Sequence, residues 1–381
     1  MTSAILGFLV AMQVVPLDSA ASWQLVEQSR FGSIDDPTTA LSRIRSAAIT
    51  TEGQLVLTQI FDEGVGLYSF NGERVGSLSR RGEGPEELIS PGTVGSRRDT
   101  VWVSDNRLNA LKYFDVAGEW LGTVSIAQPL DAGGVGKPVS LLDNGDVLVR
   151  PTIPMSSLLS GRNEFPWLRF TAEGSLVDTL VLDARSSQAA SMTIAGRQGL
   201  VRQPFDWSDR VEVALDGSGL AKVSQKVDDP NHVTVERINA DGAPIFSQRY
   251  EVVARRLTPS LVRAAADAQT ELAQKAMAES TAFDADQYRA AYSEAVARPD
   301  YIPPVDAVLI GADGRIWLRR EFVGGDSQRW VALDGTTGSI LGQIQLPAES
   351  RLIAASAEGV WLEELDELDV VHIGRYRILE N

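Results

Sequence analysis

Residue types that most often carry catalysis are sparse in this sequence. It contains two histidines, His232 and His372, and no cysteine. The lack of cysteine excludes thiolate nucleophiles, disulfides and cysteine-ligated metals, and the two histidines are too far apart along the chain to form a metal-binding motif. Neither a Gly-x-Ser-x-Gly nucleophile elbow nor a glycine-rich phosphate loop ending in Lys-Ser or Lys-Thr occurs. The sequence therefore favours a binding protein over an enzyme, and no catalytic residue is predicted.

Two acidic pairs are the remaining candidates for metal chemistry. Asp62-Glu63 and Asp228-Asp229 supply carboxylate oxygens, which are the ligands that calcium prefers. Neither pair belongs to a spaced series of oxygen ligands, so hydrated surface loops are the simpler interpretation. No cofactor is predicted, and calcium is kept as the alternative.

The composition is that of a soluble globular protein with an acidic surface. The 381 residues are 44% hydrophobic and 23% charged, and the formal net charge is -16. General nucleic-acid binding needs a basic field that neutralises phosphates. The charge therefore argues against a nucleic-acid partner, and the predicted partner of a monomeric chain is a small molecule or a protein.

The N-terminal residues resemble an export leader. Ala4 to Leu17 form the longest apolar run, and small residues follow it up to Ser22, as at a signal-peptidase site. The run is too short to span a bilayer comfortably, so no transmembrane span is expected in the mature chain. We predict a signal peptide over residues 1–21 and a periplasmic or secreted protein. A buried N-terminal segment is the alternative, because the first three residues lack Lys and Arg.

Turn signals recur along the chain at a fixed period. Gly53 and Asp99 lie 46 positions apart, as do Asp99 and Gly145, and a second set of turns repeats the spacing from Gly72 to Gly118. Short runs rich in β-branched and aromatic residues separate these turns. Two hairpin turns per repeat of this length are typical of a four-stranded propeller blade.

Six such units predict an all-β fold, a six-bladed β-propeller of four-stranded antiparallel blades over residues 22–381. The predicted inner strands begin near Ile44, Thr93, Val139, Arg210, Val305 and Leu352. The sixth unit lacks an outer strand. Trp23 to Phe31, ahead of blade one, is predicted to supply that strand and to close the ring.

A helical hairpin over residues 258–298 is predicted to interrupt the repeat between blades four and five. Thr258-Pro259 is a favoured helix start, and Asp284 with Gln287 forms a capping box for a second helix. Leu261, Ala265, Ala268 and Leu272 are predicted to fall on one face of the first helix.

The long connections all fall on one rim of the predicted ring. If the strands of each blade are lettered a to d from the axis outward, this rim holds the b–c and d–a connections, and we call it the loop face. The opposite rim, the turn face, holds only tight turns. Binding sites usually lie on variable connections, so the ligand is predicted to bind at the loop face, with the helical hairpin as a partial lid.

Basic and aromatic residues at the loop face are the candidate ligand contacts. They are Arg80, Arg81, Arg107, Arg150, Trp207, Lys226, Arg319 and Arg320. On an acidic protein such a cluster would attract an anionic ligand. Neutral insertions and salt-bridged surface arginines are the alternative interpretation.

Three stretches resemble known propeller families. Val103 to Gly118 resembles the NHL repeat, with an Asp-centred loop between two strands. Arg80 to Leu88 and Pro303 to Trp317 look like a bacterial six-bladed β-propeller family of exported, largely uncharacterised proteins, although Glu86 and Leu88 depart from its Gly-Glu-Gly-Pro-Gly-Glu-Phe loop. The resemblance implies a fold and export rather than an activity.

An enzymatic alternative comes from the same kind of resemblance. The gluconolactonase-like six-bladed propellers are hydrolases or lyases that place a divalent cation in the channel. No residues of this sequence can be matched to their ligand set, so a binding or scaffolding module remains the predicted function.

Overall fold

The computed structural model describes residues 14–33, 39–60, 64–126, 136–151, 163–185, 190–194, 197–201, 203–276, 283–320 and 327–380. The N-terminal part of this range forms β1 (Val15–Pro16), a 3-10 helix (Leu17–Ser19) and β2 (Gln24–Phe31). Six four-stranded antiparallel blades follow one another around a ring, and five of them are built from consecutive strands from the axis outward. β1 adds a fifth, parallel strand to the sheet of blade four. The predicted six-bladed propeller is confirmed.

The first three blades follow the predicted repeat closely. Blade one contains β3 (Ile44–Ile49), β4 (Leu55–Gln59), β5 (Val65–Tyr68) and β6 (Arg74–Ser79). Blade two contains β7 (Pro91–Arg97), β8 (Thr100–Asp105), β9 (Ala110–Asp115) and β10 (Trp120–Ser125). Blade three contains β11 (Gly136–Leu141), β12 (Val147–Pro151), β13 (Glu164–Phe170) and β14 (Leu176–Ala184).

Additional elements lie on either side of blade four. A separate hairpin, β15 (Ala190–Ile194) and β16 (Arg197–Val201), precedes this blade. Blade four contains β17 (Arg210–Val213), β18 (Gly219–Lys226), β19 (Asp229–Asn239) and β20 (Pro244–Glu251). The helices α1 (Pro259–Ala276) and α2 (Ala285–Ala295) then precede blade five.

The last two blades complete the ring. Blade five contains β21 (Ala307–Ile310), β22 (Ile316–Arg320), β23 (Ser327–Leu333) and β24 (Ile340–Pro347). Blade six contains β25 (Arg351–Ser356), β26 (Gly359–Leu365) and β27 (Val371–Leu379), with β2 as its outer strand. β2 pairs antiparallel with β27 in a register that runs from Gln24 opposite Leu379 to Phe31 opposite Ile373. The predicted closure by the N-terminal strand is confirmed.

Packing between adjacent blades explains why the ring is the stable unit. Buried apolar side chains form six clusters in the described residues, one between each neighbouring pair of blades. Trp102 lies between blades two and three and Trp317 between blades five and six, both fully buried. A single blade would leave these faces in water, so each blade depends on its two neighbours.

The segment just before β2 packs against blades four and five. β1 runs parallel to β20 at the outer edge of blade four. Leu17 has no exposed surface and belongs to the core between these blades. Asp18 accepts a hydrogen bond from the backbone of Val253 at 2.9 Å and pairs with Arg329 at 2.8 Å and Arg320 at 3.3 Å.

These contacts bear on the predicted leader. Residues 1–13 lie outside the described residues, whereas the last part of the predicted signal peptide is described and packed. The signal-peptide boundary at residue 21 stays a prediction. Cleavage there would remove Leu17 and Asp18 from the contacts just described.

The helical hairpin forms a small second core on the loop face. Leu261 of α1 and Tyr292 of α2 pack with Met192 of the β15–β16 hairpin. Asp284 accepts a hydrogen bond from the backbone of Gln287 at 2.9 Å, as predicted for the cap of α2. Near the other end of α1, Lys275 Nζ lies 3.3 Å from the carboxylate of Asp369, in the b–c connection of blade six. The hairpin therefore reaches from the connection between blades four and five to blade six.

The predicted apolar face of α1 is only partly buried. Leu261 is buried, but Leu272 is 58% exposed and Ala268 is also exposed. Ala266 and Thr270 are buried instead. α1 packs on α2, which in turn packs on β15, so the buried side of α1 is the one that faces α2.

Candidate functional site

The inner strands of the blades enclose a cavity of about 260 Å³ on the ring axis. Its walls come mainly from β3, β17, β21 and β25. Four charged side chains line it: Arg45, Glu212, Asp216 and Arg351. Blades one and four are opposite each other in a ring of six, so Arg45 and Glu212 lie on opposite walls. We call this space the channel.

A second cavity of about 250 Å³ opens on the loop face between blades three, four and five. It is formed where β12 and β14 end and where β17 and β21 begin, and we call it the mouth cavity. Its charged lining residues are Arg150, Asp183, Arg185, Asp209, Arg210 and Glu212. Glu212 lines both cavities, so its carboxyl group lies where the channel meets the mouth cavity.

Ion pairs hold most of the mouth residues in place. Arg185 pairs with Asp183 at 2.5 Å, and Lys222 pairs with Asp209 at 3.0 Å. Arg210 donates to the backbone oxygen of Asp306 in the connection that leads into blade five, at 3.2 Å. The Arg185 pair lies at blade three and the Lys222 pair at blade four, whereas the Arg210 contact joins blade four to blade five. The wall of the mouth cavity is therefore preorganised before any ligand binds.

Burial perturbs the ionisable groups of the mouth cavity. It raises the pKa of the Asp183 carboxyl and lowers the pKa of the Arg150 guanidinium, which also feels the positive charge of Arg185. Burial raises the pKa of Glu212 to about 8, although the charge of Arg150 opposes this shift. Solvent reaches the side chains of Arg150 and Glu212 through the mouth cavity, but protein surrounds them on the other sides. Perturbed groups in a cleft are typical of functional sites.

Glu212 should make the stability of the protein depend on pH. The folded state keeps a proton on this side chain up to about pH 8, whereas the unfolded chain releases it near the ordinary value of 4.5. The free energy of unfolding should therefore fall as the pH rises from about 5 to 8, by up to about 1.4 kcal/mol per pH unit. Glu212→Gln should remove this part of the slope in urea unfolding across that range. An unchanged slope in the variant would assign the titration to another group.

The eight predicted ligand contacts have different surroundings. Arg150 lines the mouth cavity, with its guanidinium carbon 6.0 Å from the ring centre of Trp167. Two others are buried: Trp207 donates its Nε1 hydrogen to the backbone oxygen of Tyr301 at 3.2 Å, and Arg320 has no exposed surface. The structure therefore gives neither of them access to a ligand.

The other five lie on the loop face but line neither cavity. Arg319 is held by the carboxylate of Asp306 through two hydrogen bonds of 2.7 and 3.1 Å. Arg80 pairs with Glu87 at 2.9 Å. Arg81 forms a bridge with Leu88 between backbone segments, and Arg107 and Lys226 are exposed. Their contact with a ligand stays a prediction.

Candidates for metal binding are not clustered in the described part of the chain. His232 contacts Asp229 at 2.7 Å and His372 contacts Asp366 at 3.2 Å, each on an outer part of its blade. Asp62-Glu63 lies outside the described residues. Across the residues that the structure describes, no group of three His, Asp or Glu side chains is arranged to hold a metal ion.

The sequence prediction missed five charged residues of the mouth cavity: Asp183, Arg185, Asp209, Arg210 and Glu212. One signal was available for Glu212, because it is an acidic residue between two valines on a predicted inner strand. An inner strand of a propeller borders the channel, so a charged residue in its middle faces either the channel or a neighbouring blade.

Fold and site together define a six-bladed β-propeller with a charged cavity at the loop-face end of its channel. No protein-family model and no curated protein matches the chain. Solved structures do match its fold. A member of the DUF4221 family from Bacteroides vulgatus aligns with a TM-score of 0.50 and 11% identity, over 94% of this chain and 99% of that chain.

A protein from Bacteroides fragilis that is inferred to be exported aligns with a TM-score of 0.52 and 9% identity. The alignment covers 94% of this chain and 95% of that chain. The predicted resemblance to bacterial six-bladed propellers is confirmed as a similarity of fold. At such low identities nothing about activity follows from either structure.

Proposed function

We propose that the protein is a binding module that takes up a small polar ligand in the mouth cavity, with Arg150 and Glu212 as its main contacts. The observation that carries this proposal is the position of Glu212, which borders both the channel and the mouth cavity. A ligand that reaches it from the loop face would pass Arg150 and Arg185. The cavity offers a donor and an acceptor side by side, which suits a molecule with groups of both kinds.

The helical hairpin on the loop face also supports a ligand site in the mouth cavity. The helical hairpin and the β15–β16 hairpin belong to connections on the loop face, and Lys275 ties the hairpin to blade six. Long connections that fold into their own core over one rim restrict access to that rim. A scaffolding role, with a protein segment as the ligand, would use the same face.

We also propose that the protein is exported. The apolar N-terminal run supports this, as does the fold similarity to a Bacteroides fragilis protein that is inferred to be exported. Within the described residues no helix is long and apolar enough to cross a membrane.

A thermal-shift screen tests the binding proposal. A panel of small acids, amino acids, sugars and nucleosides is added to the protein, and the compound that stabilises it most is titrated by calorimetry. Arg150→Ala should weaken the binding of that compound at least tenfold, because the variant lacks a charge-assisted hydrogen bond to the ligand in a partly buried site.

The matched control for this test is Arg98→Ala. It removes the same charge from an exposed turn on the opposite face of the ring and should change the affinity less than about twofold. Equal losses in the two variants, or a panel with no stabilising compound, would contradict the proposed site. The same thermal-shift measurement with calcium and with chelator tests the alternative of a metal-dependent hydrolase or lyase. That alternative requires that calcium stabilise the protein and that chelator remove the effect.

A further inference from the structure

A third cavity, of about 500 Å³, lies at the base of the helical hairpin. It is lined by residues 256–258, by the first turns of α1 and by residues 298–300, together with Ser293 of α2. It shares no lining residue with the channel or with the mouth cavity. Its size lies within the range of small-molecule sites in proteins.

Three arginines from separate stretches of the chain converge on this cavity. They are Arg256, Arg263 and Arg298, and the one acidic residue of the lining is Asp300. Neutral contacts orient two of them: Arg256 lies 5.5 Å from the ring centre of Tyr301, and Arg298 donates to the backbone oxygen of Ser293 at 2.8 Å. The lining therefore carries an excess of two positive charges.

The absence of an ion pair distinguishes these three arginines from most other arginines among the described residues. Arg169 has three aspartates within 3.6 Å, and Arg319 has Asp306 at 2.7 Å. In the described residues, no carboxylate forms an ion pair with Arg256, Arg263 or Arg298. Three guanidinium groups without an ion-pair partner among the described residues, around one cavity of a chain with net charge -16, form a local cationic site.

We propose that this cavity binds the phosphate group of a small phosphorylated molecule. A guanidinium group presents paired N–H donors whose spacing matches the oxygens of a phosphate. A phosphate monoester carries close to two negative charges at neutral pH, which matches the charge excess of the lining. Leu257 and Val262 supply apolar surface beside the arginines, where the carbon part of such a ligand packs.

Calorimetric titration with benzyl phosphate tests this proposal. The wild-type protein should bind it, and the variant with Arg256, Arg263 and Arg298 all changed to Gln should bind at least tenfold more weakly. The matched control changes Arg74, Arg98 and Arg377 to Gln, three exposed arginines elsewhere that give the same change in net charge. This control should weaken binding less than about twofold at moderate salt. All six side chains are exposed, so both variants should fold, which circular dichroism checks first.

Four results would overturn the proposal. One is no measurable binding of benzyl phosphate by the wild-type protein. Another is an equal loss in the two triple variants, which would mean a general effect of charge. The third is a loss of benzyl phosphate binding in Arg150→Ala together with full binding by the triple variant of Arg256, Arg263 and Arg298. That result would assign the phosphate to the mouth cavity. Benzyl alcohol should not compete; competition would show that the apolar ring, not the phosphate, is recognised.

Discussion

Trp23→Ala should reduce the free energy of unfolding by about 3–5 kcal/mol, the usual cost of truncating a buried tryptophan. Trp23 lies just before β2 and is 8% exposed. Its ring centre is 6.1 Å from that of Trp317 in an edge-to-face arrangement, and Gly342 leaves the space that its indole fills. Its backbone N–H donates to Gln343 of blade five at 2.8 Å. The side chain therefore fills the interface where the N-terminal strand passes from blade five to blade six.

Trp120→Ala is the matched control for this prediction. Trp120 lies on the outer strand of blade two and is 40% exposed, so the same truncation there should cost no more than about 1 kcal/mol. Urea unfolding followed by circular dichroism measures both variants. A cost for Trp23→Ala as small as that for Trp120→Ala would mean that the N-terminal strand contributes little to the closure of the ring.

Asp18→Ala should also be strongly destabilising, by about 3–5 kcal/mol, because it removes a counter-charge from a buried guanidinium. Arg320 has no exposed surface, and the carboxylate of Asp18 lies 3.3 Å from it. The same carboxylate pairs with Arg329 at 2.8 Å and accepts the backbone hydrogen bond from Val253. One substitution thus weakens three contacts between the N-terminal segment and blades four and five.

The control for the second prediction is an exposed ion pair. Asp286 pairs with Arg289 at 2.7 Å, but its side chain is 93% exposed, so Asp286→Ala should cost less than about 1 kcal/mol. Changing Arg320 to Met in the Asp18→Ala background should recover part of the loss, since no buried charge remains. Failure to recover any stability would argue against the ion pair as the cause. Mass spectrometry must first show that the purified protein still contains residue 18.

The periodic part of the fold could be predicted from the sequence because each blade has its own turn residues at the same spacing. Gly53, Gly145 and Gly314 adopt positive φ values at equivalent a–b turns, where residues with a Cβ atom are strained. Blade two uses Arg98 at φ 52° in the same place, and the period still identified its turn. Ring closure could also be predicted, because the sixth repeat lacked an outer strand and the strand ahead of blade one belonged to no repeat.

The contacts made by non-repeating segments could not be predicted in this way. The burial of Arg320 depends on Asp18, which lies about 300 positions earlier in the chain in a segment whose apolar composition equally fits a leader. Trp207 is buried beside Tyr301, in the chain that follows the helical hairpin. No local pattern specifies either contact, because each depends on where an insertion or a terminus folds back onto the ring.

The face that holds the candidate site was predicted, but of the eight predicted contact residues only Arg150 lines the mouth cavity. The rim followed from the lengths of the connections, and Arg150 followed from its place at the end of β12. Its neighbours in the mouth cavity come from blades three and four, so their approach depends on the radius and tilt of the blades. Those quantities have no signature in a single repeat.

A crystal structure with the most stabilising compound of the screen tests the proposed binding site most directly. The compound should occupy the space between the Arg150 guanidinium and the Glu212 carboxyl, beneath the helical hairpin. A compound bound at the tight turns of the opposite rim, or against the outer strands, with the mouth cavity filled only by water, would contradict the proposed site.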